Sequence, residues 1–252
     1  MSRAPLIRTT CHGILLAAIG VAVIGCGSIH GRPGPGPEVV RPEEVLDFPA
    51  LYKGNCAACH GENGRNGAGI SLSNPEYIAL AGEPHLQEVI ANGVRGKLMP
   101  AFAKKAGGML TDDQVAVLAQ GIQKQWGNPA VLGGQDYPPY LTTLSGNAEH
   151  GLQAYGVFCA RCHGATGEGG PADGKPNSTQ GKIGSIVDSS YLAVISDQNL
   201  RSITIAGRPD LGMPDWRGDS DHPMTDQQVT DILAWLASKR VSNPGQPYPN
   251  HP

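Results

Sequence analysis

Two copies of one five-residue pattern constrain this chain more than any other feature: Cys56-Ala57-Ala58-Cys59-His60 and Cys159-Ala160-Arg161-Cys162-His163. C-x-x-C-H spacing reads as covalent attachment of a c-type haem. Each thiol forms a thioether to a haem vinyl group, and the adjacent histidine is held under the iron as proximal ligand. Two covalently bound haem c groups are therefore expected, one on Cys56, Cys59 and His60, the other on Cys159, Cys162 and His163. A zinc site or a redox C-x-x-C pair is the plainer alternative. Zinc would want a second cysteine or histidine pair at matching spacing, and none follows either motif.

The rest of the chain repeats around these motifs. A step of 114 residues carries Tyr77 to Tyr191, Leu86 to Leu200, Gly93 to Gly207, Met99 to Met213, Pro100 to Pro214 and Phe102 to Trp216. The same step carries Thr111 to Thr225, Asp112 to Asp226 and Val115 to Val229. The haem motifs are 103 residues apart, so the second copy holds 11 extra residues between its motif and Tyr191. The Gly/Pro/Ser-rich stretch Gly169–Gly181 is their expected place. Two domains follow, at 43–140 and 141–252, each of about 100 residues and large enough for a small core. Aromatics make up only 5% of the chain against 35 glycines and 21 prolines, so buried haem would supply much of the missing apolar bulk.

Helices are predicted on either side of the motifs. Asn147 is a candidate N-cap with Glu149 in the first turn, and Leu152, Tyr155 and Phe158 follow at helical spacing into Cys159. In the first copy Pro42, Glu43 and Glu44 open a corresponding helix that Pro49 would interrupt or kink. Thr111 with Gln114, and Thr225 with Gln228, each fit a capping box. The stripes Val115, Leu118, Ile122 and Val229, Ile232, Leu236 follow them, and both helices are expected to end near Asn128-Pro129 and Asn243-Pro244. Nothing reads as a sheet.

The first residues have the form of an export signal. Arg3 and Arg8 precede an uncharged apolar run from Gly13 to Ile24, shorter than the roughly 20 residues of an ordinary membrane span. The run ends in Val23-Ile24-Gly25-Cys26 and resembles a bacterial lipoprotein signal, with cleavage before Cys26 and lipid on its thiol; an ordinary signal peptide or an uncleaved anchor is the alternative. Residues 1–25 are then the signal peptide and 26–42 a Gly/Pro-rich tether. The six cysteines divide into Cys11 in the signal, Cys26 for lipid and four for haem, which leaves none for a disulfide. Without residues 1–25 the basic count falls from 19 to 17 against 22 acids, a net charge of −5. That balance argues against nucleic acid as a partner.

A haem with one histidine needs a second axial group or an open position. Met99 and Met213 occupy equal places in the repeat, each before a proline. Met109 and Met224 do not align with each other, and neither do His85, His150 and His222 find duplicates. Duplication should preserve a ligand, so Met99 and Met213 are the expected partners of His60 and His163. Two saturated irons leave no free site for oxygen or peroxide. Such a centre moves electrons and needs no small-molecule substrate.

On these residues the chain resembles a tandem dihaem class I c-type cytochrome, over nearly all of 43–240. C-x-x-C-H ends a first helix, Met-Pro lies later in a loop, and a capped last helix follows. The resemblance implies an all-α fold with each domain wrapped around its haem, His60 and Met99 on one iron, and His163 and Met213 on the other. It also implies single-electron transfer between redox partner proteins, free-standing or as a subunit of a membrane respiratory complex. With the lipid anchor, this predicts the periplasmic side of a bacterial envelope. The competing class is a dihaem peroxidase or another haem oxidoreductase with one open or displaceable axial position. The family often carries an aromatic on the last helix that packs on the first. Trp235 fits, but its equivalent in copy one is Gly121, so either the first domain is looser or Trp126 substitutes.

Charge differs between the two methionine segments. Arg95, Lys97, Lys104 and Lys105 lie near Met99 without an acid, whereas Arg208 and Arg217 near Met213 are outnumbered by Asp210, Asp215, Asp219 and Asp221. This predicts an acidic partner at the first haem's rim and a basic one at the second's. Gln135-Asp136-Tyr137-Pro138 and Gln246-Pro247-Tyr248-Pro249 end the two copies alike, as extended caps or, for the last, a disordered tail.

Overall fold

The computed structural model describes residue 36 and residues 39–171, 181–218 and 222–242. The signal segment 1–25, Cys26, most of the tether, the centre of the 169–181 loop, Asp219, Asp221, Asn243-Pro244 and the Pro-rich tail lie outside the described residues. Glu43 onward belongs to one unit, separate from the residues before it. Among the described residues no helix is long and apolar enough to cross a membrane.

The chain is mostly helical. After a 3-10 turn at Pro42–Glu44, helix α1 spans Phe48–Asn55. The first C-x-x-C-H forms the short α2, Ala57–His60. Helix α3 spans Pro75–Asn92 and α4 spans Asp112–Trp126. The second copy begins with α5, Ala148–Phe158, and its motif helix α6, Ala160–His163. A two-residue antiparallel pair follows, β1 Gly170–Pro171 against β2 Lys182–Ile183. Helices α7 Ser189–Val194, α8 Asp197–Ala206 and α9 Asp226–Ser238 complete it. The β pair was not expected. It closes the neck of the loop expected to hold the extra residues, where a ladder satisfies backbone groups that no helix takes up.

Pro49 does not kink a helix begun at Pro42. Asp47 caps α1 instead, its carboxylate accepting from Ala50 N at 2.9 Å, and Pro49 falls in the first turn. Proline is tolerated there because its missing N–H would have had no intrahelical partner. In α5, Asn147 is the N-cap and accepts from Glu149 N and His150 N. Tyr155 is fully buried, but Leu152 is exposed; Gly151 and Ala154 form the inner face in its place. Both capping boxes are complete, and both apolar stripes are buried. Helix α4 stops at Trp126, one residue before Gly127 and short of Asn128-Pro129; α9 stops at Ser238.

The middle helix breaks at the same place in both copies by different means. Gly82 interrupts α3 with a left-handed φ of 70°. Its equivalent is Ser196, which separates α7 from α8 and caps α8 by accepting from Asn199 N at 3.1 Å. A glycine supplies the turn in one copy and a side-chain cap supplies it in the other.

First and last helices cross in each copy, and the crossing is filled reciprocally. On α4, Gly121 leaves room for Phe48: a Cβ there would lie 2.0 Å from the Phe48 ring. In the second copy the equivalent of Phe48 is Gly151 and that of Gly121 is Trp235. A Cβ on Gly151 would lie 2.9 Å from Trp235 Cβ and 1.9 Å from Asp231 O. The large residue sits on the first helix in one domain and on the last in the other. Trp126, in the last turn of α4, adds edge-on contacts to Phe48 and Tyr52 at 5.9 and 5.1 Å between centroids. In the second domain Trp235 packs on Tyr155 at 4.3 Å. Trp126 thus takes the aromatic role that Gly121 cannot, and Phe48 fills the space left.

Both domains lie in one unit, with α3 packed on α8. The connecting segment runs along the second domain. Pro139 O accepts from Arg201 Nε at 2.9 Å, Tyr140 O accepts from Gln198 Nε2 at 2.8 Å, and Tyr137 packs edge-on against Trp216. Arg201 is buried, so its charge needs a counter-ion; it pairs with Asp226 and bonds Thr230 Oγ1.

Gly121→Ala should lower stability by about 1–3 kcal/mol through overpacking. Chemical denaturation of the haem-loaded protein measures this. Because the clash is with one ring, G121A combined with F48A should cost less than the sum of the two single changes.

Candidate functional site

The two motif helices are built alike. Helix α1 runs into α2 with Cys56 at the junction, and α5 runs into α6 with Cys159 there. Each motif helix stops after its histidine at a glycine with φ near 80°, Gly61 and Gly164. A tyrosine one turn before the motif then anchors the exit: Tyr52 donates to Gly61 O at 2.8 Å, and Tyr155 donates to Gly164 O. This tyrosine–glycine clamp was missed at the level of sequence. The signal was present, since the 103-residue step superimposes Tyr52 on Tyr155 and Gly61 on Gly164.

All four motif cysteines are free of disulfides. Burial, and then the neighbouring Cys59, pushes the Cys56 thiol up to about 11; burial and Cys162 push Cys159 up to about 12. Protonated thiols do not suit a redox C-x-x-C pair, which relies on a lowered thiol pKa. Among the described residues no group of three or more His, Cys, Asp and Glu could hold a metal ion.

Both motif histidines are kept in the neutral form that could ligate iron. His60 Nδ1 lies 2.8 Å from Ile70 O. A carbonyl can only accept, so Nδ1 carries the proton and Nε2 keeps its lone pair. Gly69 makes room for the ring, because a Cβ there would stand 2.8 Å from His60 Cε1. Burial lowers the pKa of both His60 and His163, which holds the imidazoles neutral, the form that binds iron. His163 Nδ1 is buried with no hydrogen-bond partner among the described residues. By the 103-residue step, the counterpart of Ile70 is position 173, outside the described residues.

Met99 and Met213 lie on matched loops. Val94 N donates to Met99 O at 3.0 Å, and the equivalent Arg208 N donates to Met213 O at 3.0 Å. The loops fold back over glycines that end the preceding helices. A Cβ on Gly93 would lie 2.5 Å from Pro100 C, and one on Gly207 would lie 2.5 Å from Pro214 O. Both have φ near 67°, which side chains rarely adopt. Met99 is partly buried and packs on the core. Met213 lines an open cleft with Ala206, Pro209, Pro214 and Glu76 of the first domain.

The other methionines behave differently. Met109 is 79% exposed. Met224 is 8% exposed, and its N–H donates to Trp216 O as the equivalent Leu110 N–H donates to Phe102 O. Met224 is therefore a core filler in a leucine's place. His85 packs on Tyr140 and bonds Ala81 O, His222 stacks edge-on against Phe158, and His150 is exposed. Trp216 Nε1, three residues past Met213, is a second buried donor without a hydrogen-bond partner among the described residues. A neutral imidazole beside two free thiols at each motif fits a covalently held haem.

Comparison with known proteins agrees. Residues 43–120 match the family described as cytochrome c oxidase, cbb3-type, subunit III, and residues 148–239 match cytochrome c. The chain carries two cytochrome c domains in tandem, and two covalent haem c groups are expected on it. It is 31% identical over 137 residues to the cbb3-type oxidase subunit FixP of Sinorhizobium medicae, covering 51% of this chain and 42% of that protein. It is 21% identical over 249 residues to the cytochrome bc1 complex cytochrome c subunit of Corynebacterium diphtheriae, covering 93% and 81%. FixPc of Rhizobium leguminosarum is 27% identical over 228 residues, covering 86% of this chain and 66% of its own length.

The hydrogen bond on His60 would make that imidazole a more basic iron ligand, which favours ferric iron. The first haem should therefore have the lower reduction potential. Redox titration at high ionic strength, where surface charge is screened, checks the order of the two.

Proposed function

We propose that this protein is a dihaem electron carrier, tethered to the membrane through lipid on Cys26, that passes single electrons as the cytochrome subunit of a respiratory complex. The repeat of one full ligand set carries the reading: Cys56, Cys59, His60 and Met99 in the first domain, Cys159, Cys162, His163 and Met213 in the second. An imidazole and a thioether would together saturate the iron, and haem so ligated would supply reversible one-electron chemistry with a raised potential. The chain does the remainder. The tyrosine–glycine clamps fix the exit from each motif. Ile70 O orients His60. Gly93 and Gly207 let each Met-Pro loop return to its own domain.

The relatives named as cytochrome c subunits of a cbb3-type oxidase and of a bc1 complex support a respiratory partner. We place the domains at 43–140 and 141–252 and the protein on the periplasmic side of a bacterial envelope, as the export segment implies.

The test is spectroscopic. Ferric haem with a methionine ligand has a weak band at the red edge of the spectrum. Met99→Ala and Met213→Ala should each remove about half of it, and the double change all of it. The untouched protein should be low-spin and turn over no peroxide. A high-spin signal with rapid peroxide turnover would replace this reading with the peroxidase-like one.

Charge on the two rims refines the docking expectation. Around Met213 two of the four acids are paired: Asp210 with Arg208, which holds its carboxyl below the usual range, and Asp215 with Arg217; Asp219 and Asp221 lie outside the described residues. Around Met99, Lys97 donates into the second domain, Lys105 pairs loosely with Asp112, and Lys104 is exposed. Among the described residues the uncompensated charge is the basic one near the first haem, which fits an acidic partner. Reversing Lys104 and Lys105 to Glu should slow reduction or oxidation by one partner and weaken its salt dependence. Stopped-flow kinetics over a range of ionic strength measure both; no change in either would remove the assignment.

A further inference from the structure

The two methionine loops are not held by their own domains alone. Asn74, 2% exposed, caps α3 through Oδ1, which accepts from Glu76 N at 3.0 Å and Tyr77 N at 3.3 Å. Its Nδ2 points the other way and donates to Ala206 O at 3.0 Å and Gly207 O at 3.1 Å, in the second domain. Gly207 is the residue over which the Met213-Pro214 loop folds. The same loop is touched again from the first domain. Arg217 lies 3.6 Å from Glu76 and donates to Val131 O at 3.2 Å, and Glu76 lines the cleft beside Met213. In the other direction, Lys97, two residues before Met99, donates through Nζ to Ala193 O at 2.7 Å, in the last turn of α7.

We infer that each axial-methionine loop is latched by the opposite domain: Met213 through Asn74, and Met99 through Lys97. Asn74 and Lys97 are positioning residues, and the inference rests on the ligand reading above. The duplicated position shows that the cap alone does not demand asparagine. Asp188 stands where the second copy matches Asn74, and its carboxylate accepts from Ser190 N and Tyr191 N at 2.9 Å in the same way. An aspartate caps a helix as well as an asparagine but has no hydrogen to donate. The amide at position 74 adds the reach into the second domain. Both of its donor bonds are buried, so losing them leaves two carbonyls without partners where water is scarce. The loop would relax to recover them, and the thioether would leave its best position over the iron. The ligand strength at one haem thus depends on the packing of the other domain.

The experiment uses the full haem-loaded chain and added imidazole, which competes with a methionine ligand. Asn74→Ser keeps an oxygen for the cap and lacks the reach. In a Met99→Ala background, where the remaining red-edge band reports the second haem, N74S should weaken that band and tighten imidazole binding there on the order of tenfold. In a Met213→Ala background, where the band reports the first haem, N74S should change neither. Lys97→Leu should reverse the pattern, with a smaller rise at the first haem and none at the second. An N74S protein with an unchanged second haem overturns the latch, as does one with both haems weakened equally, which would be general loosening. If M213A itself leaves the band intact, the ligand assignment falls and the latch with it. That result is distinct from the first two.

Discussion

The crossing of first and last helix within each repeat is the constraint on which the rest depends. It fixes the end of α1 and of α5, and the haem motif begins where each of those helices ends. The two crossings reach one geometry from opposite sides. Phe48 over Gly121 and Trp235 over Gly151 exchange the large and the small partner between helices. A close-packed interior tolerates such an exchange because total volume is kept, whereas either change alone leaves a void or a clash. After duplication the two domains have therefore drifted at both positions of a pair while keeping the frame.

From that frame the proposed ligands follow by short, local devices. A tyrosine hydroxyl on the first helix holds the glycine carbonyl just past the motif. A glycine at φ near 67° ends the middle helix and admits the Met-Pro loop against its backbone. These devices appear in both copies at matching steps. Around the proximal imidazole, Ile70 O is the acceptor for His60, whereas among the described residues His163 Nδ1 has no hydrogen-bond partner.

Much of the site was legible in the sequence because its chemistry is written in adjacent residues. C-x-x-C-H needs only local spacing, the capping boxes span four residues, and the 114-residue step proposes Met99 and Met213 among five methionines. Other features depend on packing. Leu152 keeps the helical spacing of Tyr155 yet lies exposed, and Gly151 and Ala154 are buried instead, because close approach of two backbones requires small residues there. Pro49 was read as a break in a helix that in fact starts one residue before it. The small β pair at the neck of the insertion depends on two segments twelve residues apart meeting, which no local pattern encodes.

The sequence by itself determined the covalent chemistry, the duplication and the helices, since each depends on residue type and short-range order. Tertiary structure alone decided which residues support those groups from a distance. That Trp126 rather than Gly121 meets Tyr52, that Met224 fills a leucine's place, and that Asn74 reaches Gly207 across 133 positions are facts of packing. Hydrogen-bond partners so remote in the chain are chosen by how two folded domains meet, and only the assembled backbone fixes that.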